Sequence, residues 1–172
     1  MEDTMPKPSH VIAVAVGLAA PWMLAASAAE VPDAIAAKGE TVVLQVHAEG
    51  AQIYECKADA GGKLAWQFRE PIASLFSDGR TVGRHYAGPN WEIGGGAIVA
   101  KAAGRAPGAS ATDIPWLKLE VTEHRGSGTL NDVTTVQRIN TRGGQAEGAC
   151  AQAGELHSEP YSADYVFLRK GA

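Results

Sequence analysis

The amino-acid sequence predicts an all-β domain, an antiparallel β-sandwich or barrel of about eight strands. The first observation behind this fold class is composition. Twenty glycines and nine prolines are spread along the chain, and such spacing suits short strands joined by turns better than long helices. The second is that apolar and polar residues alternate in several segments, which is the period of a half-buried strand. The third is that no segment after residue 29 has a convincing helical period.

Size and charge narrow the possibilities further. The chain has 172 residues, of which 45% are hydrophobic, so it can bury one sizeable core and is too short for two ordinary domains. Charged residues make up 20% and the formal net charge is -4. No basic surface for nucleic acid and no polybasic stretch for anionic lipid is present. The sequence therefore predicts a single domain without a nucleic-acid partner and leaves its oligomeric state open.

The N-terminal residues 1–28 are predicted to be a signal peptide that forms a helix before cleavage. Val11–Ala29 carries no charge and follows Lys7 and His10, and Ala26 and Ala28 stand in the A-x-A relation that a signal peptidase reads. Export to the periplasm or beyond follows, with no membrane association after cleavage. The alternative is an uncleaved anchor, because nineteen uncharged residues could just span a bilayer.

Residues 29–40 are predicted to lead into the domain with at most one helical turn, and residues 41–172 to form the domain itself. Trp66 and Phe68 are expected in the core, and Ala102–Asp113, rich in glycine, alanine and proline, is expected to be the longest loop. The segments predicted as strands are Thr41–Ala48, Ala51–Cys56, Leu64–Phe68, Arg80–Tyr86, Ala97–Ala100, Leu117–Val121, Val133–Thr141 and Tyr161–Leu168. Pro71 is expected to end the third of these, with Ile72–Phe76 a short apolar piece after it.

The densest group of chemically versatile side chains lies in Gly79–Glu92. A turn at Gly88–Asn90 separates His85 from Glu92, and if the flanking segments pair across it, these two side chains come near one another. Strand register decides which face each side chain takes. We predict that one concavity is lined by at least three of five residues, namely His85, Tyr86, Trp91, Glu92 and Arg138.

Two functions from different classes fit these side chains. The first is a non-catalytic module of the cell envelope that binds a small ligand, a glycan or a partner through flat aromatic rings and hydrogen-bond donors, here Tyr86, Trp91, Trp116 and Arg138. The alternative is a small hydrolase or lyase with His85 and Glu92 as acid and base, and with Arg138 stabilising an anion. A purely structural role also remains open, because aromatic residues at strand spacing are usually core.

The sequence predicts neither a cofactor nor a metal. It contains no Gly-x-Ser-x-Gly elbow, phosphate-binding glycine loop, His-Glu-x-x-His helix or calcium loop. The four histidines after residue 28 are not spaced as a local metal pair. Gly94–Gly96 falls in a β-turn with no helix after it, so it is not a dinucleotide fingerprint.

The two cysteines, Cys56 and Cys150, are predicted to form one disulfide, because an isolated pair in a small exported domain is most often bonded. Metal ligation is the weaker reading, since the cysteines are far apart and neither belongs to a Cys-x-x-Cys pattern.

Five sequence words, in this order, carry a family resemblance: AQIYEC at 51–56, VGRHYAGPNWE at 82–92, IPWL at 114–117, VQRINTRGG at 136–144 and YSADY at 161–165. The chain resembles the domain of unknown function 3455 family (DUF3455), exported proteins of bacteria and fungi without an established activity. The resemblance covers nearly all of the chain after the signal. It implies that Cys56 and Cys150 match the two cysteines of the family, which supports the disulfide. It brings no catalytic residues.

Overall fold

The computed structural model describes residues 30–171, which form one antiparallel sheet closed into a barrel. A short 3₁₀ turn at Asp33–Ile35 precedes eight strands: β1 Glu40–Ala58, β2 Leu64–Ser77, β3 Arg80–Tyr86, β4 Asn90–Ile93, β5 Gly96–Ala106, β6 Trp116–Gly126, β7 Thr135–Gly143 and β8 Leu156–Lys170. Each strand pairs with the next, and β8 pairs with β1. The all-β prediction is confirmed, and of the two architectures it is the barrel. The predicted signal-peptide helix lies outside the described residues.

Two observed strands, β1 and β2, are longer than predicted, because each continues through a residue that was predicted to interrupt it. β1 runs through Gly50, where a side chain has no room, because an added Cβ would lie 2.0 Å from the Ile72 carbonyl oxygen of β2. Glycine at this position therefore permits a close approach of two strands and does not mark a turn. β2 runs through Pro71, which pairs with Gln52 of β1 and precedes Ala73, the first β2 residue paired with β3. Pro71 thus needs no donor on its second edge.

The barrel has two ends with different contents. At the closed end, Leu130 and Val133 from the loop between β6 and β7 are 1% and 0% exposed and join the core cluster of the barrel interior. The interior beside them is filled by apolar side chains such as Val46, Leu75 and Phe167. At the open end lie the turn after β3 and the loops 59–63, 107–115 and 144–155.

A second, smaller apolar cluster lies where the segment before β1 meets the wall of the barrel. Ile35, Ala106 and Trp116 are its buried members, and the Gln137 amide donates a hydrogen bond to the Ile35 carbonyl at 2.7 Å. At Gly104 an added Cβ would lie 2.2 Å from the Ala34 carbonyl oxygen, so the missing side chain lets this segment lie against β5. Within residues 30–171 no helix is long and apolar enough to span a membrane.

The predicted loop at Ala102–Asp113 is shorter than expected. β5 continues to Ala106 because its last residues pair with the start of β6, Arg105 opposite Leu117. Small residues in this stretch hid the strand, since alanine and glycine give no alternating pattern. The connecting segment is therefore 107–115.

The disulfide joins Cys56 to Cys150, as predicted, with 5.8 Å between the Cα atoms. It ties the end of β1 to the loop between β7 and β8. The same loop is held by the backbone, because the Cys56 N–H donates to the Glu155 carbonyl at 2.8 Å and the Gly154 N–H donates to the Cys56 carbonyl at 2.9 Å. This crosslink fixes one wall of the open end.

Candidate functional site

Two neighbouring cavities occupy the open end of the barrel. The outer cleft has a volume of about 630 Å³, and the inner pocket, which is more enclosed, has about 120 Å³. Phe68, Leu117 and Arg138 line both cavities, so the two cavities adjoin one another. An eight-stranded barrel is wide enough to hold one small ligand when side chains do not fill it.

One wall of the outer cleft is the inward-facing row of β1. Gln52 and Tyr54 line the cleft, and Cys56 follows at the same spacing, so all three share one face of the strand. The Tyr54 hydroxyl donates to the Gly144 carbonyl at 2.7 Å. Gly144 has a φ of 85° and an added Cβ would lie 2.9 Å from Cβ of Tyr161. Only glycine therefore allows the loop after β7 to come close enough to accept the hydrogen bond from Tyr54.

The inner pocket ends on a group of aromatic rings. His85 of β3 pairs with Trp91 of β4, and their rings stack with centroids 4.4 Å apart. Tyr165 of β8 meets both rings edge-on, at 5.0 Å from His85 and 5.4 Å from Trp91. These three side chains are 2%, 1% and 0% exposed. The register of the β3–β4 hairpin thus brings His85 and Trp91 together inside the barrel.

His85 is neutral in this environment. Its Nδ1 lies 2.8 Å from the Asn90 carbonyl oxygen, which can only accept, so Nδ1 carries the proton and Nε2 keeps a free lone pair. Burial lowers the pKa of His85 to about 3, and the positive charge of Arg138 also lowers it, against the opposing effect of the Asn90 carbonyl. Histidine here acts as a hydrogen-bond partner rather than as a cation.

Arg138 of β7 is the charged group at the junction of the two cavities. Its Nε and Nη2 donate to the Pro115 carbonyl at 3.1 and 2.8 Å, which uses two of the five N–H donors of a guanidinium. Among the described residues no carboxylate forms an ion pair with it. Burial raises the pKa of Tyr165, while the nearby Arg138 charge opposes that rise. The positive charge of Arg138 therefore acts on groups that line the inner pocket.

Two buried donors that belong to cavity-lining residues have no hydrogen-bond partner within residues 30–171. They are the side-chain amide Nε2 of Gln52, from the outer cleft, and the indole Nε1 of Trp91, from the inner pocket. A buried donor without a partner destabilises by about 1–3 kcal/mol. A bound molecule with acceptor atoms, or ordered water, can satisfy such groups.

The structure divides the five candidate residues. His85, Trp91 and Arg138 line the inner pocket. Glu92 is on the outer face of β4, where it accepts from Nη2 of Arg84 at 2.7 Å, and the Arg84 guanidinium lies 4.9 Å from the ring centroid of Tyr86. Tyr86 and Glu92 therefore belong to an outer-face cluster and do not line either cavity.

This division separates the acid and base of the hydrolase or lyase hypothesis. His85 pairs with Trp91 across the hairpin, and Arg84 with Glu92, so His85 and Glu92 point to opposite faces of the sheet. From these positions they do not act together on one bound molecule. Trp116, named for the binding hypothesis, also lies elsewhere, since it packs against Ile35 outside the barrel.

Sequence reasoning missed several residues of the outer cleft. Phe68 was expected in the core and is 55% exposed, while Trp66 is half-buried and tilts against His157 with centroids 5.2 Å apart. Tyr54 packs edge-on against Phe68 at 5.9 Å. A usable signal existed, because aromatic and amide side chains stand two residues apart along β1 and β2. This spacing indicates that the side chains share one face of the sheet, but it does not show whether that face is buried or open to solvent.

The described residues hold no group of three or more histidine, cysteine or acidic side chains placed to bind a metal ion. A family model described as "Protein of unknown function (DUF3455)" matches residues 36–169. The chain belongs to the DUF3455 family. No curated protein and no solved structure matches this chain. The match begins inside the segment that covers β5 and ends within β8, so the DUF3455 unit includes the whole ring of strands and both cavities.

Proposed function

We propose that this DUF3455 domain is a non-catalytic binding module that takes one small molecule into the open end of its barrel. The observation that carries the proposal is the pair of adjoining cavities at this end of the barrel, with Arg138 lining both. The outer cleft, about 630 Å³, lies in the usual range for small-molecule sites, roughly 300–1,000 Å³. Aromatic walls with a few polar groups are also typical of such sites.

We further propose that the module works outside the cytoplasm, in the cell envelope or after secretion. The Cys56–Cys150 bond supports this location, because disulfides persist mainly in oxidising compartments. The signal-peptide pattern in residues 1–28 supports it independently.

Blocking the outer cleft tests the binding proposal. Ala103 lines the cleft and is exposed, so Ala103→Trp should fill the cavity without removing a core contact. Lys101, exposed on the same strand and outside the cleft, supplies the matched control Lys101→Trp. The wild type and both variants would be screened by thermal shift against a library of small organic fragments.

Fragments that bind in the cleft should raise the Tm of the wild type and of Lys101→Trp but not that of Ala103→Trp. A ligand that binds only the folded state raises the unfolding free energy by about 2.7 kcal/mol at a hundred times its Kd. The proposal fails if no fragment raises the Tm of the wild type. It also fails if every active fragment works equally well on Ala103→Trp.

A further inference from the structure

The charged residues that line the two cavities are all positive. Three arginines, Arg69, Arg105 and Arg138, line the outer cleft or the inner pocket, and no carboxylate lines either. The chain as a whole carries a formal net charge of -4. A cationic cavity in an acidic protein is a local arrangement that favours an anionic ligand.

The three arginines differ in how far their charge is already compensated. Arg69 lies 3.3 Å from a Glu70 carboxylate oxygen and 4.0 Å from one of Glu55. Arg105 is exposed at the rim. Arg138 is partly buried at the junction, donates to the neutral Pro115 carbonyl and contacts the neutral Tyr165 hydroxyl, with no counter-ion among the described residues. A charge removed from water without a counter-ion is costly. An anion therefore gains more binding free energy beside Arg138 than beside Arg69 or Arg105.

The sizes of the cavities assign an orientation to such a ligand. The inner pocket, about 120 Å³, has room for roughly four waters at about 30 Å³ each, which is the scale of an acid group with its adjoining carbon. The outer cleft is larger and has the rings of Tyr54, Trp66 and Phe68 in its walls. An apolar or aromatic body fits there, because aromatic rings pack well in offset or edge-on contacts.

We propose that the ligand is an amphipathic carboxylate whose acid group lies against Arg138, at the mouth of the inner pocket, and whose apolar or aromatic body fills the outer cleft. This rests on the proposed binding function. A carboxylate is favoured over a phosphate ester because one guanidinium without a counter-ion matches a single negative charge, and the N–H groups of Arg138 that do not bond Pro115 can donate to the carboxylate oxygens.

Three probes with one carbon skeleton test the proposal. They are 3-phenylpropanoate, 3-phenylpropanamide and 3-phenylpropylamine, with affinities measured by isothermal titration calorimetry at pH 7. The acid should bind at least about tenfold more tightly than the amide, equivalent to about 1.4 kcal/mol, and the amine should not bind. Affinity for the acid should also fall between low and high NaCl, because salt screens the charge interaction.

Arg138→Gln should abolish the preference for the acid over the amide, and Arg138→Lys should restore part of it by returning the charge. Arg84→Gln is the control, because Arg84 pairs with Glu92 on the outer face of the barrel and its loss should leave the preference intact. The salt dependence in the wild type needs no variant, so the test holds even if Arg138→Gln unfolds.

The outcomes separate this inference from the function on which it rests. Equal binding of acid and amide, blocked by Ala103→Trp, would overturn the carboxylate assignment and leave the binding module standing. Fragment hits in the cleft without binding of the acid would overturn it in the same way. An absence of any cleft-dependent binding would overturn both proposals.

Discussion

The two ends of the barrel are built from the same strands and differ in what those strands turn inward. On β1, the inward row passes from Val46 and Ala48 at the closed end to Gln52 and Tyr54 at the open end. On β8 the inward row carries Phe167 toward the closed end and Tyr165 at the inner pocket. Close packing at the closed end stabilises the fold, whereas the open end contains polar groups and empty volume. The difference shows that the cavities arise from a change in side chains along continuous strands.

The largest expected effect comes from releasing the open end. The Cys56–Cys150 bond spans 94 residues, so replacing both cysteines by serine should lower the unfolding free energy by about 4–5 kcal/mol on the chain-entropy model. Urea denaturation would measure the loss. Amide hydrogen exchange should rise most in 52–58 and 144–155, where the bond ties two segments. Equal increases at both ends of the barrel would contradict the comparison.

A matched pair of phenylalanine substitutions contrasts the ends directly. Phe167 is fully buried in the core and Phe68 is 55% exposed in the cleft wall. Phe167→Ala should destabilise by about 3–5 kcal/mol, whereas Phe68→Ala should change stability by no more than about 1 kcal/mol. Chemical denaturation would compare them.

The same pair should reverse its order in binding. Phe68→Ala should weaken the affinity for 3-phenylpropanoate in calorimetry because it removes an aromatic wall of the outer cleft. Phe167→Ala, assayed where it remains folded, should bind nearly as the wild type does. Similar stability losses in the two variants would show that the ends do not differ as described.

The smallest expected effect is the pH dependence set by His85. Because its pKa falls from 6.5 to about 3 on folding, the unfolded chain binds the proton more readily, and stability is lost as pH falls below about 6.5. Between pH 7 and 4.5 the loss should be about 2–3 kcal/mol. Asp113, whose pKa is lowered by the hydrogen bond from the Gly143 N–H, contributes only at lower pH.

Urea titrations at several pH values would measure this slope, and His85→Gln should flatten it. Nuclear magnetic resonance of the His85 ring gives a second reading, because its signals should not titrate between pH 7 and 4.5. A ring that titrates near pH 6.5 would show that the inner pocket is open to water.

Alternation and turn residues predicted the fold class because a strand with one buried face shows a period of two in its own sequence. Gly50 and Pro71 resemble strand breaks in the sequence, whereas the neighbouring strand determines their role. A glycine required by the closeness of Ile72 looks the same in sequence as a glycine required by a turn. Sandwich and barrel could not be separated, because pairing of β1 with β8 leaves no local signal.

For the site, residue type was more informative than position. His85 and Trp91 were singled out as polar and aromatic residues beside one turn, and they meet because the register pairs them. Glu92, one residue further, faces outward for the same reason, since neighbouring residues alternate faces. Arg138 joins them from β7 through closure of the ring, which neither segment specifies alone.

Closure of the ring depends on pairing between the first and the last strand. β1 uses one edge to pair with β2 and the other to pair with β8, the last of the eight strands. Until Leu156–Lys170 arrives, β1 and β7 each present an open backbone edge, which is a template for pairing with another chain. Contacts between segments so distant in sequence form slowly. Any partly folded chain in which β8 is not yet docked therefore exposes two edges that favour aggregation.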